Sequence, residues 1–251
     1  MTSEPNRTHV YRTETEKDVG RENGAIFERS ADTVEVRLEN FPKYVRRQHL
    51  KRFLAMYELF KRTLGVKGSV IDCGVYRGFG LMSWAKLSTI LEPENLTRRI
   101  YGFDTFTGFP AVSSKDASSF TRTNIGDLSA SSFDELQELL AQYDRDRFLG
   151  HVPKVELVKG DIAITAPAFV ASHPHVVVSL LFIDCDLYEP TKAALEAFVP
   201  RMPKGAILAF DELDNPIWPG ETLAMVESLG LRKLRLQRLE WDPYIAFAEI
   251  E

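Results

Sequence analysis

The sequence predicts an α/β protein built on a mostly parallel sheet, and three features of the chain support this. The first is residues 176–188, where eight uncharged, mostly β-branched or bulky residues run into two acids, Asp184 and Asp186. So short and apolar a run is typical of a buried parallel strand and falls well short of a membrane span. The other features are further β-rich runs that also end in acids, and a chain end with two strand-like runs and no helix between them.

The two acids at the end of this run have two interpretations. Open α/β sheets bind ligands at the carboxyl ends of their strands, which places Asp184 and Asp186 at the edge of a predicted site. Alternatively, both acids cap the helix expected near Pro190. We favour a chemical role because three other predicted strands end in acids as well.

The composition is that of an ordinary globular protein. Its 251 residues are 44% hydrophobic and 27% charged, with a net charge of -5, which is enough chain to bury a full core in one domain. The negative charge argues against nucleic-acid binding through bulk charge, and the sequence shows neither a membrane span nor an apolar signal segment. We therefore expect a cytoplasmic protein without nucleic-acid or membrane partners, in which Cys73 and Cys185 stay as thiols.

The beginning of the chain differs from the rest. Residues 1–24 are rich in charged side chains and poor in apolar ones, so they are unable to close a core of their own. They form either a loose tail or an arm that becomes ordered against a partner subunit or over the substrate. We assign residues 1–40 to an N-terminal arm and residues 41–251 to the main domain, and we expect a homo-oligomer.

An amphipathic helix is predicted over residues 44–64, where apolar side chains recur at helical spacing. Its opposite face carries Arg46, Arg47, Lys51 and Arg52. This basic face is either solvated or grips an anionic group of a substrate.

A glycine-studded turn follows the first predicted strand, residues 69–73. Gly74, Gly78 and Gly80 allow close approach of the backbone to a ligand, and the predicted helix at residues 81–90 begins with unpaired amides that bind polar atoms. The spacing differs from the Gly-x-Gly-x-x-Gly of dinucleotide-binding turns. By itself this turn is a weak signal.

Three more β-rich runs end in acids. Residues 100–103 lead to Asp104, which is suited to accept hydrogen bonds from a ribose diol, and residues 155–158 lead to Asp161, a candidate for holding an adenine amino group. Residues 206–210 lead to Asp211 and Glu212. Helices are predicted at residues 133–143, 166–172, 191–198 and 221–229, and the closing strands at residues 233–240 and 244–250.

Five βα units closed by a hairpin are the pattern of the S-adenosylmethionine-dependent methyltransferase fold, a seven-stranded sheet with one antiparallel strand. From about residue 53 to residue 250 the chain resembles the macrocin O-methyltransferase family, the sugar O-methyltransferases of antibiotic biosynthesis. The matching segments are residues 72–78, 102–110, 183–191 and 203–212. The most specific contains Asp184-Cys185-Asp186-Leu187-Tyr188.

The resemblance implies two ligands and the residues that bind them. A magnesium ion would be held by Asp184, Asp211 and Glu212, and Asp186 would act as general base. Most relatives have aspartate where Glu212 stands; glutamate also offers the oxygen that this hard cation prefers, and Asp214 is a reserve candidate. The residues expected to bind S-adenosylmethionine are Asp72, Gly74, Val75, Tyr76, Gly78, Asp104, Thr105, Asp161, Ile162 and Asp184.

These roles suit methyl transfer to a sugar. A sugar hydroxyl is a poor nucleophile at neutral pH, so the reaction needs a proton acceptor, a Lewis acid that lowers the hydroxyl pKa, or both. The serine-rich residues 110–132 follow a cofactor-binding strand and are predicted to form a lid, with surface disorder as the alternative.

Two other functions are weighed against this one. An NAD-dependent nucleotide-sugar-modifying enzyme is disfavoured by the glycine spacing and by the closing hairpin. A non-catalytic binding module on the same fold is disfavoured because the strand-end acids are all present.

The resemblance implies a deoxysugar substrate, either linked to a nucleotide or already attached to a natural product. Arg122 in the lid and the basic face of the first helix favour a diphosphate, because the arginine fork matches its oxygens. We therefore favour a nucleotide-linked deoxyhexose such as dTDP-rhamnose. In the alternative, the cations are solvated and Phe106, Phe109 and Phe120 cover an apolar aglycone.

Overall fold

The computed structural model describes residues 13–251, which form two compact units, one ending at Leu54 and one running from Ala55 to Glu251. In the first unit, α1 (Glu14–Glu28) begins with a capping box between Thr13 and Glu16, and α2 (Val34–Glu39) follows. Part of the polar segment 1–24 is therefore helical, and residues 1–12 of that segment lie outside the described residues.

The predicted amphipathic helix is present as α3 (Arg47–Arg62), and in its second half Ala55, Met56, Leu59 and Phe60 are buried. Pairs of apolar residues one turn apart produce such a buried stripe. Within residues 13–251, no helix is long and apolar enough to cross a membrane.

The second unit alternates strands and helices as predicted. The parallel strands are β1 (Ser69–Cys73), β2 (Ile100–Asp104), β3 (Val155–Lys159), β4 (Val178–Ile183) and β5 (Ile207–Phe210). The helices that follow them in turn are α4 (Phe79–Leu91), α5 (Phe133–Arg145), α6 (Ile162–Ser172), α7 (Tyr188–Phe198) and α8 (Pro219–Ser228). A hairpin of β6 (Gln237–Leu239) and β7 (Asp242–Glu249) closes the chain, with β7 antiparallel to β5.

The sheet has the strand order β3-β2-β1-β4-β5-β7-β6, which confirms the predicted seven-stranded fold. One strand differs in length from the prediction. Residues 231–233 form a short 3-10 helix, so β6 is only three residues long where residues 233–240 were expected to be extended.

The faces of β1 show how the sheet is covered. Successive side chains of a strand point to opposite faces, so Ile71 and Cys73 enter the core formed with α6 and α7, whereas Asp72 points towards α4. There Asp72 accepts a hydrogen bond of 3.2 Å from Nε1 of Trp84, which packs between Phe60 and Phe182. Every side chain of β1, β4 and β5 is buried, which accounts for their uninterrupted apolar runs.

Lys154, just before β3, is a buried cation whose Nζ donates to the Asn95 carbonyl over 2.5 Å. Burial lowers the pKa of Lys154 to about 8, the nearby Arg147 and Arg98 act in the same direction, and Glu92 opposes them. Below pH 8 both the folded and unfolded chains carry the proton. Between pH 8 and the usual value of 10.5 the unfolded chain keeps it and the folded chain releases it.

We therefore expect the free-energy penalty for burying the charged Lys154 side chain to shrink as the pH rises from 7 to 9.5. The difference in unfolding free energy between wild type and Lys154→Met, measured by urea titration at both pH values, should shift in favour of wild type. The exposed Lys67→Met is the control and should show no such shift. A difference that stays constant for Lys154→Met would contradict the lowered pKa.

Candidate active site

The predicted acids follow parallel strands and lie at one edge of the sheet. Backbone hydrogen bonds extend the ladders one residue past the strands. The Gly74 N–H donates to the Phe103 carbonyl at 2.9 Å, and the Asp184 N–H donates to the Cys73 carbonyl at 2.8 Å. The Asp211 N–H likewise donates to Ile183 at 3.0 Å, so these positions are held in register on neighbouring strands.

The turn after β1 lies at the switch point of the sheet, between β1 and β4, where this fold class forms its ligand crevice. Gly74 has φ of +99°, and a Cβ there would lie 2.0 Å from the Asp184 carbonyl oxygen, so only glycine fits. Tyr76 also has a positive φ, and α4 begins after Gly78, which has no side chain to cap the helix. The first amides of α4 are therefore suited to a polar ligand group.

Asp104 joins this turn to the one after β2. Its two carboxylate oxygens accept hydrogen bonds from the backbone N–H of Tyr76 at 2.7 Å and of Phe106 at 2.6 Å. Burial raises the pKa of Asp104, and the Phe106 and Tyr76 amides act in the opposite direction. Each carboxylate oxygen has a second lone pair, so the group can still accept from a ribose hydroxyl.

The other predicted cofactor residues differ in how they face the cleft. Asp161 is the N-cap of α6 and accepts from the Ala163 N–H at 2.9 Å. The Thr105 hydroxyl donates to the Gly108 carbonyl at 2.7 Å and shapes the turn after β2. The side chains of Asp72, Val75 and Ile162 are buried, and their part in cofactor binding stays a prediction.

Asp186 has an unusual backbone. It is the central residue of a three-residue turn closed by a 2.7 Å hydrogen bond from the Leu187 N–H to the Cys185 carbonyl, and its φ is +62°. This is the rarer and more strained form of the γ-turn. Its side chain is only 2% exposed. Strained positions persist where the surroundings over-determine them, and they cluster at functional sites.

Further acids lie beyond β5. Asp211 and Glu212 are buried, whereas Asp214 is exposed. Glu221, at the start of α8, is fully buried and accepts from the Glu212 N–H at 2.9 Å. Burial raises the pKa of Glu221 well above its usual range, the Glu212 N–H acts against this, and the charges of Glu212, Asp184 and Asp211 raise it further.

These carboxyls are donors of the type that Mg²⁺ binds, and Oε2 of Glu221 is buried without a hydrogen-bond partner among the described residues. The donor chemistry therefore fits the predicted ion. Within residues 13–251, however, no three His, Cys, Asp or Glu side chains are arranged closely enough to hold a metal. Asp184, Asp211 and Glu212 share one edge of the sheet, and their role as ligands stays a prediction.

The family of the chain follows from comparison with known proteins. The model of the macrocin-O-methyltransferase (TylF) family matches residues 41–228, well over half of the chain. The chain belongs to the macrocin-O-methyltransferase family. This confirms the family and the type of enzyme predicted from the sequence, an O-methyltransferase with the fold of S-adenosylmethionine-dependent methyltransferases.

Solved structures of the calicheamicin methyltransferase CalS11 are similar to this chain. One is 37% identical with a TM-score of 0.91, covering 99% of this chain and 98% of CalS11. A second, described as the apo form of CalS11, TDP-rhamnose 3'-O-methyltransferase, is 36% identical with a TM-score of 0.84 over 97% of both chains. The O-methyltransferase NovP, at 19% identity and a TM-score of 0.62 over 80% of this chain and 79% of its own, shares the fold.

A curated relative from Streptomyces olivaceus is more distant. It is 8-demethyl-8-(2,3-dimethoxy-alpha-L-rhamnosyl)-tetracenomycin-C 4'-O-methyltransferase, 26% identical over 149 residues. The match covers 59% of this chain and 54% of the relative, so it spans about half the length of that protein.

Two buried acids of this chain were missed from the sequence. Glu221 looks like an ordinary acid in the first turn of a helix, and its burial depends on the packing of α8. Asp116 is 3% exposed within the predicted lid. The spacing of Ser113 and Asp116 is that of a capping box, a signal that was available in the sequence.

Asp104→Ala should weaken binding of S-adenosylmethionine by roughly 10- to 100-fold, because it removes charge-assisted acceptors and loosens the Tyr76 turn. Isothermal titration calorimetry measures the affinity, and a thermal melt checks that the variant folds. Asp146→Ala removes the same charge from an exposed position and should bind like wild type. Equal affinities for all three proteins would contradict the assignment of Asp104.

Proposed function

We propose that the chain transfers a methyl group from S-adenosylmethionine to a hydroxyl of a deoxysugar in antibiotic biosynthesis, and that this sugar is nucleotide-linked, such as dTDP-rhamnose. The observation that carries the proposal is the agreement with CalS11 over 99% of this chain at 37% identity. The second CalS11 structure is described as a TDP-rhamnose 3'-O-methyltransferase. An agreement of this extent includes the strand ends at which substrates of this fold bind.

The alternative is a sugar already attached to an aglycone. The Streptomyces olivaceus relative favours it, because its name describes a rhamnosyl group on tetracenomycin C, but its match covers only 59% of this chain. Two of the three aromatic residues expected to cover an aglycone face inwards. Phe106 packs against Phe133 and Phe109 packs against Trp218, whereas Phe120 is exposed. We therefore favour the nucleotide-linked sugar.

Different residues of the cleft would bind the cofactor and accept the proton. S-adenosylmethionine, when bound, supplies an electrophilic methyl group. Asp104 and Asp161 bind the nucleoside, and the amides at the start of α4 bind the polar end of the cofactor. Asp186 accepts the proton of the sugar hydroxyl while the hydroxyl oxygen bonds to the methyl carbon and the carbon–sulfur bond breaks, which would leave S-adenosylhomocysteine. Asp186 afterwards releases the proton to solvent.

The same acids support the predicted ion. Asp184, Asp211 and Glu212 would hold a magnesium ion, whose chemistry, when bound, lowers the pKa of a coordinated hydroxyl. What supports this is the like charge collected around Glu221, which a divalent cation would neutralise. Asp214 is a poorer candidate because it is exposed.

The protein is incubated with S-adenosylmethionine, magnesium and either dTDP-rhamnose or a rhamnosylated aglycone, and the products are weighed by mass spectrometry. The nucleotide sugar should become heavier by about 14 mass units, the mass of one CH₂ group. Asp186→Asn is the matched control because asparagine tolerates a positive φ, so the turn survives without the base. Its rate should fall by roughly 10²- to 10⁴-fold. Methylation of the aglycone-linked sugar alone would refute the nucleotide-linked substrate, and methylation of neither would refute the proposed function.

Asp211→Asn should lose magnesium binding, because it removes a negatively charged oxygen ligand. Titration calorimetry with MgCl₂ measures magnesium binding without turnover. The activity of Asp211→Asn should fall together with its magnesium binding, and the activity of wild type should fall in excess chelator. Glu212→Asp should keep both properties, because it retains the carboxylate. Asp214→Asn is the control and should behave like wild type; loss of magnesium in this variant alone would move the site to Asp214.

A further inference from the structure

Asp116 lies in the predicted lid, outside the residues assigned to the reaction, and its carboxylate is buried. One oxygen accepts hydrogen bonds from the Ser113 backbone N–H at 2.7 Å and from the Ser113 hydroxyl at 2.8 Å. These bonds close the short 3-10 helix Ser114–Asp116. They account for one side of the carboxylate.

The other carboxylate oxygen of Asp116 is hydrogen-bonded to a different element. It accepts a 2.7 Å hydrogen bond from the backbone N–H of Tyr188, the first residue of α7. The residue at the N-cap of α7 is Leu187, whose side chain has no oxygen with which to cap the helix. The lid thus supplies the capping acceptor that the helix lacks in its own sequence.

The start of α8 meets the same carboxylate. A Cβ on Gly220 would lie 2.1 Å from the Asp116 oxygen and 2.5 Å from the Tyr188 nitrogen, so α8 approaches this bond as closely as a glycine permits. The N-cap of α8 is Trp218, which also lacks a side-chain acceptor. Two helix N-termini, each with partial positive charge, therefore converge on one buried carboxylate.

The bond from Asp116 ends two residues from the candidate base. The strained turn at Asp186 is closed on one side by β4 and on the other by the start of α7. We propose that Asp116 is a positioning residue that fixes the first turn of α7, and through it the γ-turn that aims Asp186, so that the lid and the base are coupled. This proposal rests on the proposed function, in which Asp186 accepts a proton.

A second link between these elements lies further out. The Lys115 ammonium pairs with Glu227 at 2.5 Å and lies 3.9 Å from the centre of the Tyr188 ring, and the Tyr188 hydroxyl donates to Glu227 at 2.6 Å. Lys115 and Glu227 are both well exposed, and exposed ion pairs contribute little to stability. A substitution of Lys115 is therefore a suitable control, because it removes a contact with α7 and leaves the buried bond between Asp116 and Tyr188 in place.

Asp116→Ala should lower kcat by about tenfold or more while the affinity for S-adenosylmethionine stays within about twofold, because a misplaced base slows the chemical step. Hydrogen exchange measured by mass spectrometry should be faster in a peptide covering residues 186–190. Ser113→Ala keeps the Tyr188 bond, and Lys115→Met removes the outer pair. Both should retain the wild-type kcat and the wild-type exchange at residues 186–190.

Asp116→Cys, which has nearly the same side-chain volume but no oxygen to accept the Tyr188 N–H, is measured alongside in case the alanine variant fails to fold. An unchanged kcat in a folded Asp116 variant would overturn the proposal, as would equal losses in Ser113→Ala. If wild type methylates no sugar, the proposed function fails, and exchange at residues 186–190 still decides whether Asp116 holds the turn. Wild-type exchange in the Asp116 variants would then refute the link itself.

Discussion

The contact between Gly74 and Asp184 constrains the rest of the site. A Cβ at position 74 would lie 2.0 Å from the Asp184 carbonyl oxygen, so the turn after β1 and the turn after β4 touch through their backbones. The Asp184 N–H is fixed from the same side by the Cys73 carbonyl. The turn assigned to the cofactor and the turn assigned to proton transfer are therefore in direct backbone contact, which sets the distance between the groups that in-line methyl transfer brings together.

Three buried acids each accept a hydrogen bond from a backbone amide of another element. Asp104 accepts from the turn after β1, Asp116 from the start of α7, and Glu221 from Glu212, two residues after β5. Amides from the chain are rigid and satisfy a carboxylate without neutralising its charge. At Glu221, burial and the charges of Glu212, Asp184 and Asp211 raise the pKa of the carboxyl, a cost that a purely structural core would avoid.

The sequence predicted the strands and their acids because both signals are local. The apolar runs of β1, β4 and β5 are uninterrupted because these strands are covered on both faces, and the acids after them follow from strand direction alone. The roles of single side chains depended on distant packing. Strand alternation turns Asp72 towards α4, where it accepts a hydrogen bond from Trp84, and its role at the cofactor stays a prediction. Glu221 was missed because nothing local distinguishes a buried helix-start acid from a solvated one, whereas Asp116 carried a capping-box spacing with Ser113 that does not reveal its burial.

The predicted lid, residues 110–132, has one part that packs against the rest of the fold and one part that is exposed. Its base is closed by backbone hydrogen bonds that join Phe109 to Gly126 and Asp127, at 2.9 and 3.0 Å, and Phe109 packs against Trp218. Asp116 is buried and bonds to the start of α7, so this part of the segment belongs to the framework beside the Asp186 turn. Phe120 and Ile125, at 50% and 72% exposed, lie beyond it and contribute little to the core. Because Asp116 is bonded to the start of α7, two residues from Asp186, the exposed part is where side chains can change with the least effect on that turn.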